Sequence, residues 1–232
     1  MVKANRLKFQ AALYAVSFLK SRMVIGLGHG STALLAIKQI SARYKEGYLK
    51  DILCIPASNT VEKEAQLINL PLTTLNEHPV PDITIDGADE VNPALDLIKG
   101  GGGALLKEKM LAQASKRELI IVDETKLSPV LGEKKAVPVE VIPFGWQYQA
   151  ALLDNLGAVV KLRYISAEFP YETDQGNFIL DCDFGPLSEP VQLASQMDSR
   201  AGIVGHGLFL GLADDLIVAG EKGIRHLQKN RL

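Results

Sequence analysis

The chain has 232 residues, 47% of them hydrophobic and 22% charged, enough to bury a large core in one sizeable domain or in one with a smaller companion. Lys plus Arg number 25 against 27 Asp plus Glu, a net charge of −2 with no long single-sign run, which argues against nucleic acid as a partner. Cys54 and Cys182 are far apart and the four histidines are dispersed, so the expected metal is none, no disulfide scaffold is expected, and a reducing, cytoplasmic compartment fits.

Lys3, Arg6 and Lys8 precede the apolar run AALYAVSFL at 11–19, which superficially resembles a signal peptide. No A-x-A cleavage site follows, and Lys20 and Arg22 close the run long before it could span a bilayer, so an amphipathic first helix and no membrane partner are expected. MVIGLG (23–28) then reads as a strand breaking into glycines, and STALLAIKQISARY as a helix. DILCIPAS (51–58), DITID (82–86) and ELIIVD (118–123) are further strands, with TVEKEAQLINL and ALLKEKMLAQAS (104–115) as the intervening helices. Strands alternating with helices predict right-handed crossovers and an α/β fold with a mainly parallel sheet covered by helices on both faces.

The pattern changes after residue 131. PVEVIPFG, a helix in WQYQAALLDNLG, then VVKLRYIS and NFILDCDF around the turn signal TDQGN predict a small α+β unit with a hairpin. GLFLGLADDLIVAG (207–220) resumes the earlier apolar style. The expected organisation is a large domain of residues 1–131 and 206–232 with a small domain, 132–205, inserted in it.

In open parallel sheets ligands lie beyond the carboxyl ends of the strands, and GLGHGST, PASNT, DGADE and DETK all fall there, so these four loops are expected to converge on one cleft. GLGHGSTA lacks the GK[ST] of a Walker A loop, and Ser31 stands where the dinucleotide fingerprint needs its third glycine. What remains is a helix N-terminus with Gly28, Gly30 and the hydroxyls of Ser31 and Thr32, suited to a small phosphate group. The plain alternative is a tight glycine turn with a Ser/Thr cap.

DGADEVNPALDLIKGGGGALLKEK (86–109) is more specific. Asp86 ends a strand, Asp89 lies in the loop, and Lys99 precedes Gly100, Gly101, Gly102 and Gly103, which permit close backbone approach to a ligand. Glu108 lies near the start of the next helix, where the macrodipole favours the carboxylate, and an ionised carboxylate is a base. The lysine ammonium and exposed N–H groups suit a negative oxygen developing on a substrate. A capped helix with solvated Glu and Lys is the alternative, and it fits Lys107 and Lys109.

Those stretches, with IIVDETKLSPVLGEKKAVPVEVIPFGW, TDQGNFILD and GLFLGLADDLIVAG in the same order, closely resemble ribose-5-phosphate isomerase of the A type nearly end to end. The resemblance implies a Rossmann-like large domain with a smaller α+β domain, and interconversion of ribose 5-phosphate and ribulose 5-phosphate without a cofactor. It implies Glu108 as the catalytic base, Lys99 as its neighbour, Asp86 and Asp89 as substrate-handling aspartates, and Ser31, Thr32, Lys8 and Lys126 as contacts for substrate or its phosphate. It also implies a homodimer or homotetramer. The chain departs from the family at His29, where a small hydroxyl residue is usual, and in GGGGA where GGGAA is common; the His29 ring would face either the phosphate or away from it.

The chemistry unites these residue types. Aldose to ketose isomerisation removes a proton from C2, passes through an enediolate and returns a proton to C1, so one carboxylate serves as base and then acid. Phosphate anchorage spends remote binding energy on orientation. Two rivals are a non-catalytic sugar-phosphate sensor, which needs neither Glu108 nor Lys99, and an NAD-dependent dehydrogenase, disfavoured by Ser31 and by the lack of an acid ending the second strand.

Overall fold

The computed structural model of the protein describes residues 2–229, and the Lys3 side chain lies outside the described part. Its elements in chain order are α1 (Val2–Val16), β1 (Val24–Leu27), α2 (Ser31–Lys45), β2 (Leu53–Pro56), α3 (Asn59–Leu67), β3 (Ile83–Asp86), β4 (Glu90–Val91), β5 (Leu97–Ile98), α4 (Leu105–Ala114) and β6 (Glu118–Asp123). There follow β7 (Val137–Val141), α5 (Trp146–Asn155), β8 (Val159–Leu162), β9 (Tyr164–Ser166), β10 (Phe169–Pro170), β11 (Phe178–Asp183), α6 (Pro190–Asp198), β12 (Ile203–His206), β13 (Leu208–Phe209), β14 (Asp215–Gly220) and β15 (Gly223–Gln228). The chain divides into two compact units: the first takes the described residues up to Ala88, Lys107–Leu127 and those from Leu212, the second Asp89–Leu106 and Ser128–Gly211.

The first unit is built on a six-stranded sheet, β15-β14-β6-β3-β1-β2, parallel throughout except for β15. Every residue of β3, β6 and β14 is buried, as expected of strands covered on both faces. Ala11 and Ala15 of α1, Ile37 and Ile40 of α2 and Val61 of α3 pack with Cys54, Ile85 and Ile121 on one face. Ile55, next to Cys54 and therefore on the opposite face, packs against Leu111 of α4. Gly26 lets β1 and β3 pair closely, because a Cβ there would lie 1.8 Å from Thr84 Oγ1. The chain lays β2 on one side of β1 and β3 on the other, so the strand order reverses between β1 and β3, the place where a parallel sheet opens a crevice beyond its carboxyl ends.

The second unit has an antiparallel sheet, β12-β7-β11-β8, with α5 and α6 packed on it, and a three-stranded sheet β13-β5-β4. Val139, Leu153, Leu180, Met197 and Leu208 share its core with Ile98, which is how Asp89–Leu106 comes to belong to this unit. The expected hairpin between VVKLRYIS and NFILDCDF is present as the β8–β11 pair, but the first run is broken at Arg163. There the chain leaves β11 and pairs with β10 instead, with Arg163 N–H still bonded to Ile179 O and Arg163 O accepting from Tyr171 N–H. Among the described residues no helix is long and apolar enough to cross a membrane.

Candidate active site

In the first unit the loop after β1 is shaped by a carboxylate. Asp86, fully buried at the end of β3, accepts the His29 N–H at 3.0 Å and the Gly87 N–H at 2.7 Å through Oδ1. A Cβ on Gly28 would lie 2.2 Å from that carboxylate, so glycine is required here by Asp86 itself. Gly30 has φ 104° and ψ 174°, a backbone region essentially closed to other residues, and the chain turns there into α2. Ser31 and Thr32 open the helix, and the Lys8 ammonium of α1 donates to Ser31 Oγ at 2.9 Å. A helix N-terminus, a hydroxyl and an ammonium thus meet at one point, the combination that holds a phosphate.

The His29 ring turns toward α3, its Nδ1 2.9 Å from Ser58 Oγ, the N-cap that also accepts the Val61 N–H. Lys126 ends a short 3-10 turn, Glu124–Lys126, directly after β6 and against β14 at the carboxyl edge of the same sheet; Asp123 caps that turn by accepting from Thr125 N–H at 3.0 Å. Glu108 lies in the first turn of α4 and is only 3% exposed. Lys107, next to it, donates to Asn59 Oδ1 at 2.9 Å.

In the second unit Asp89 and the glycine run form one construction. Asp89 N–H bonds to Ile98 O at 2.9 Å, which ties the loop to β5, and its Oδ2 accepts the Gly101 N–H at 2.8 Å. Gly100 and Gly103 have φ of 98° and 82°, and the Gly103 N–H closes a turn on Gly100 O at 3.0 Å. Lys99 follows β5, its N–H on Gly207 O at 2.9 Å; it is 2% exposed, with its ammonium 5.5 Å from the centroid of the Phe209 ring. Glu90, fully buried, has a different task from its neighbour Asp89, because its carboxylate accepts the N–H groups of Gly132, Lys134 and Lys135 and pins that loop.

The model of the family described as Ribose 5-phosphate isomerase A (phosphoriboisomerase A) matches residues 53–223. The chain belongs to the ribose 5-phosphate isomerase A family. It is 53% identical to a ribose-5-phosphate isomerase A of Chloroflexus aurantiacus over 95% of this chain and 92% of that one, and 51% identical to that of Desulfatibacillum aliphaticivorans over 98% and 99%. Among solved structures, a D-ribose-5-phosphate isomerase in complex with phospho-erythronic acid superposes with a TM-score of 0.94 at 35% identity, covering 97% of this chain and 99% of that one. The ribose 5-phosphate isomerase of Plasmodium falciparum does so with a TM-score of 0.94 at 37% identity, with 97% and 99% covered.

Within the first unit the structure brings Lys8, Gly28, Gly30, Ser31, Thr32 and Asp86 together; within the second it brings Asp89 together with Lys99, Gly100, Gly101 and Gly102. Arg163 and Tyr171, which touch the glycine run, carry no local motif in the sequence, and Asp181, which supports Arg163, is the last residue of the TDQGNFILD stretch with no role legible there. Both cysteines are buried, and burial pushes the Cys54 thiol up to about 12 and the Cys182 thiol up as well, so neither is a nucleophile.

Proposed function

We propose that the chain interconverts D-ribose 5-phosphate and D-ribulose 5-phosphate through an enediolate, with Glu108 as the group that moves the proton between C2 and C1. Family membership makes the chain an isomerase, and the observation that carries the reading is the 53% identity to a ribose-5-phosphate isomerase A over 95% of its length. The phosphate is anchored by Gly28, Gly30, Ser31, Thr32, Lys8 and Lys126, a reading supported by the Lys8 ammonium on Ser31 Oγ at the start of α2. Glu108 takes the C2 proton and returns it to C1. Lys99 stabilises the charge that collects on O1 and O2, with the backbone of Gly100, Gly101 and Gly102 beside it, where the Gly101 N–H is taken by Asp89. Asp86 and Asp89 hold sugar hydroxyls and assist ring opening. The same reading places the protein in the cytoplasm and takes the working form as a homodimer or homotetramer, an assembly that light scattering on the purified protein tests.

The decisive assay is isomerisation of ribose 5-phosphate in EDTA with nothing else added. Ketose phosphate accumulating at an undiminished rate is the expected result. No turnover, or turnover that depends on an added nicotinamide nucleotide, removes the reading.

A further inference from the structure

Three consecutive carbonyls of the glycine run are held from one direction. Arg163 Nη1 donates to Gly100 O at 3.0 Å and to Gly101 O at 3.2 Å, and the Tyr171 hydroxyl donates to Gly102 O at 3.3 Å. The guanidinium is itself fixed, with Nε on Asp181 Oδ2 at 2.9 Å and Nη2 on Asp181 Oδ1, and it lies 5.8 Å from the centroid of the Tyr171 ring. A fork bonded to a carboxylate on one edge and to two carbonyls on the other has little freedom left, which a lysine could not reproduce.

The N–H directions follow. In a trans peptide the C=O and the next N–H point opposite ways, and the described chain has no cis bond. Drawing the Gly100 and Gly101 carbonyls onto one arginine nitrogen therefore sends the Gly101 and Gly102 N–H groups away from Arg163. The Gly101 N–H ends on Asp89 Oδ2 at 2.8 Å, which marks where that direction leads. The Gly102 N–H points to the same side, and no group among the described residues takes it.

We propose that Arg163, braced by Asp181 and Tyr171, is a positioning residue that presents the Gly102 N–H and the Asp89 carboxylate side by side to the reacting end of the sugar. This rests on the isomerase reading above. A donor beside an acceptor suits an enediolate, because the donor stabilises the oxygen that gains charge while the acceptor holds a neighbouring hydroxyl. The arrangement is set before substrate arrives, so no loop ordering is required at the moment of reaction.

The test uses Arg163→Met, two ligands and a second variant. Phospho-erythronate ends in a carboxylate that mimics the charged oxygens of the enediolate, whereas ribitol 5-phosphate has the phosphate and hydroxyls without that charge. For a folded Arg163→Met, kcat is expected to fall about tenfold or more with KM within about threefold, as for loss of an interaction made in the transition state. Calorimetric affinity is expected to fall about tenfold for phospho-erythronate and less than about threefold for ribitol 5-phosphate. Tyr171→Phe, which keeps the ring and loses one carbonyl contact, should show the same split at about two- to fivefold. Equal losses for both ligands, or unchanged kcat, overturn the proposal; should Arg163→Met not fold, the presence or absence of the split in Tyr171→Phe decides it. Wild-type protein that fails to turn over ribose 5-phosphate would remove the isomerase reading, while the two calorimetric affinities would still judge the positioning role by themselves.

Discussion

The protein has two glycine loops that look alike in sequence and are made differently. The loop at Gly28–Gly30 is shaped by its immediate neighbours: Asp86, at the end of the adjacent strand, occupies the space a Gly28 side chain would need and holds the His29 N–H. The loop at Gly100–Gly103 is shaped by Arg163, Tyr171 and Asp181, residues that arrive some sixty to eighty positions later in the chain. The first loop is a product of the sheet that carries it. The second depends on a separate hairpin being folded and in register, so its geometry can be altered by changes remote in sequence.

The largest effect expected lies beyond both loops. Glu108→Gln keeps the shape and loses the basicity, and should lower kcat at least about a hundredfold with KM within a few fold, measured by steady-state kinetics. Near-normal turnover would take Glu108 out of the mechanism. Next come substitutions that break one loop at a time. Gly28→Ala puts a Cβ 2.2 Å from the Asp86 carboxylate, and Gly103→Ala, at φ 82°, puts one 2.1 Å from the Tyr171 hydroxyl. Each should cost about 2–3 kcal/mol in urea unfolding. The comparison sharpens in double variants: Tyr171→Ala should recover part of the loss in Gly103→Ala and none in Gly28→Ala, and strictly additive losses in the first pair would contradict the packing described for the second loop.

Lys8→Ala and Thr32→Ala act on the first loop alone. They should raise KM for ribose 5-phosphate about tenfold, the scale of a charge-assisted hydrogen bond, with little change for free ribose. Equal effects on both sugars would place these side chains away from the phosphate.

A smaller effect is expected in the sheet that carries the first loop. Asp215, buried in β14, accepts from Arg117 at 2.6 and 2.8 Å, from Gln228 at 2.9 Å, and pairs with His226 at 2.6 Å. Burial alone would raise its carboxyl, but these partners prevail and hold it at about 2, below the ordinary 3.8. A folded-state value below the unfolded one gives stability that is fully present above 3.8 and is lost as pH falls through about 2. The melting temperature of wild type should therefore drop more steeply across this window than that of Asp215→Asn. Identical slopes would show that the network contributes nothing to acid stability. The smallest effect is expected at His29. With its ring Nδ1 at 2.9 Å from Ser58 Oγ, wild type and His29→Thr should give parallel pH profiles of KM. A wild-type advantage growing below about pH 7 would place the ring on the phosphate after all.

The contrast between the loops also explains what the sequence made legible. MVIGLG followed by STALLAIKQISARY predicts β1 and α2 because strand, glycine turn and helix are all short-range events. The buried strands β3 and β6 are readable for the same reason, β6 from the unbroken apolar run LIIV and β3 from the β-branched run ITI. What Gly28 is for was not legible: a phosphate explains a glycine loop, but the space is filled by Asp86, and only the β1–β3 register reveals it. Arg163 was hidden more deeply. VVKLRYIS reads as one strand, and its break at Arg163 depends on β10 competing with β11 for the chain, which no local pattern records. Asp181 alternates within NFILDCDF like any half-exposed strand residue, and its role appears only when the hairpin sets it against Arg163.

The edges of the large sheet have a consequence of another kind. β14 is apolar and fully buried, and left uncovered it would be a template for adding strands from other molecules. β15 covers it, with Arg225 and Leu227 exposed on one face of that strand while His226 and Gln228, on the other, turn back to Asp215. At the opposite edge Cys54 of β2 bonds to Pro71 O and Thr73 N–H, which occupies part of that strand's free backbone. The molecule thus guards itself against edge-to-edge aggregation at both ends of its sheet. A version cut back to residue 222 would lose one of those guards, and its first defect would be insolubility at high concentration, ahead of any loss in catalysis.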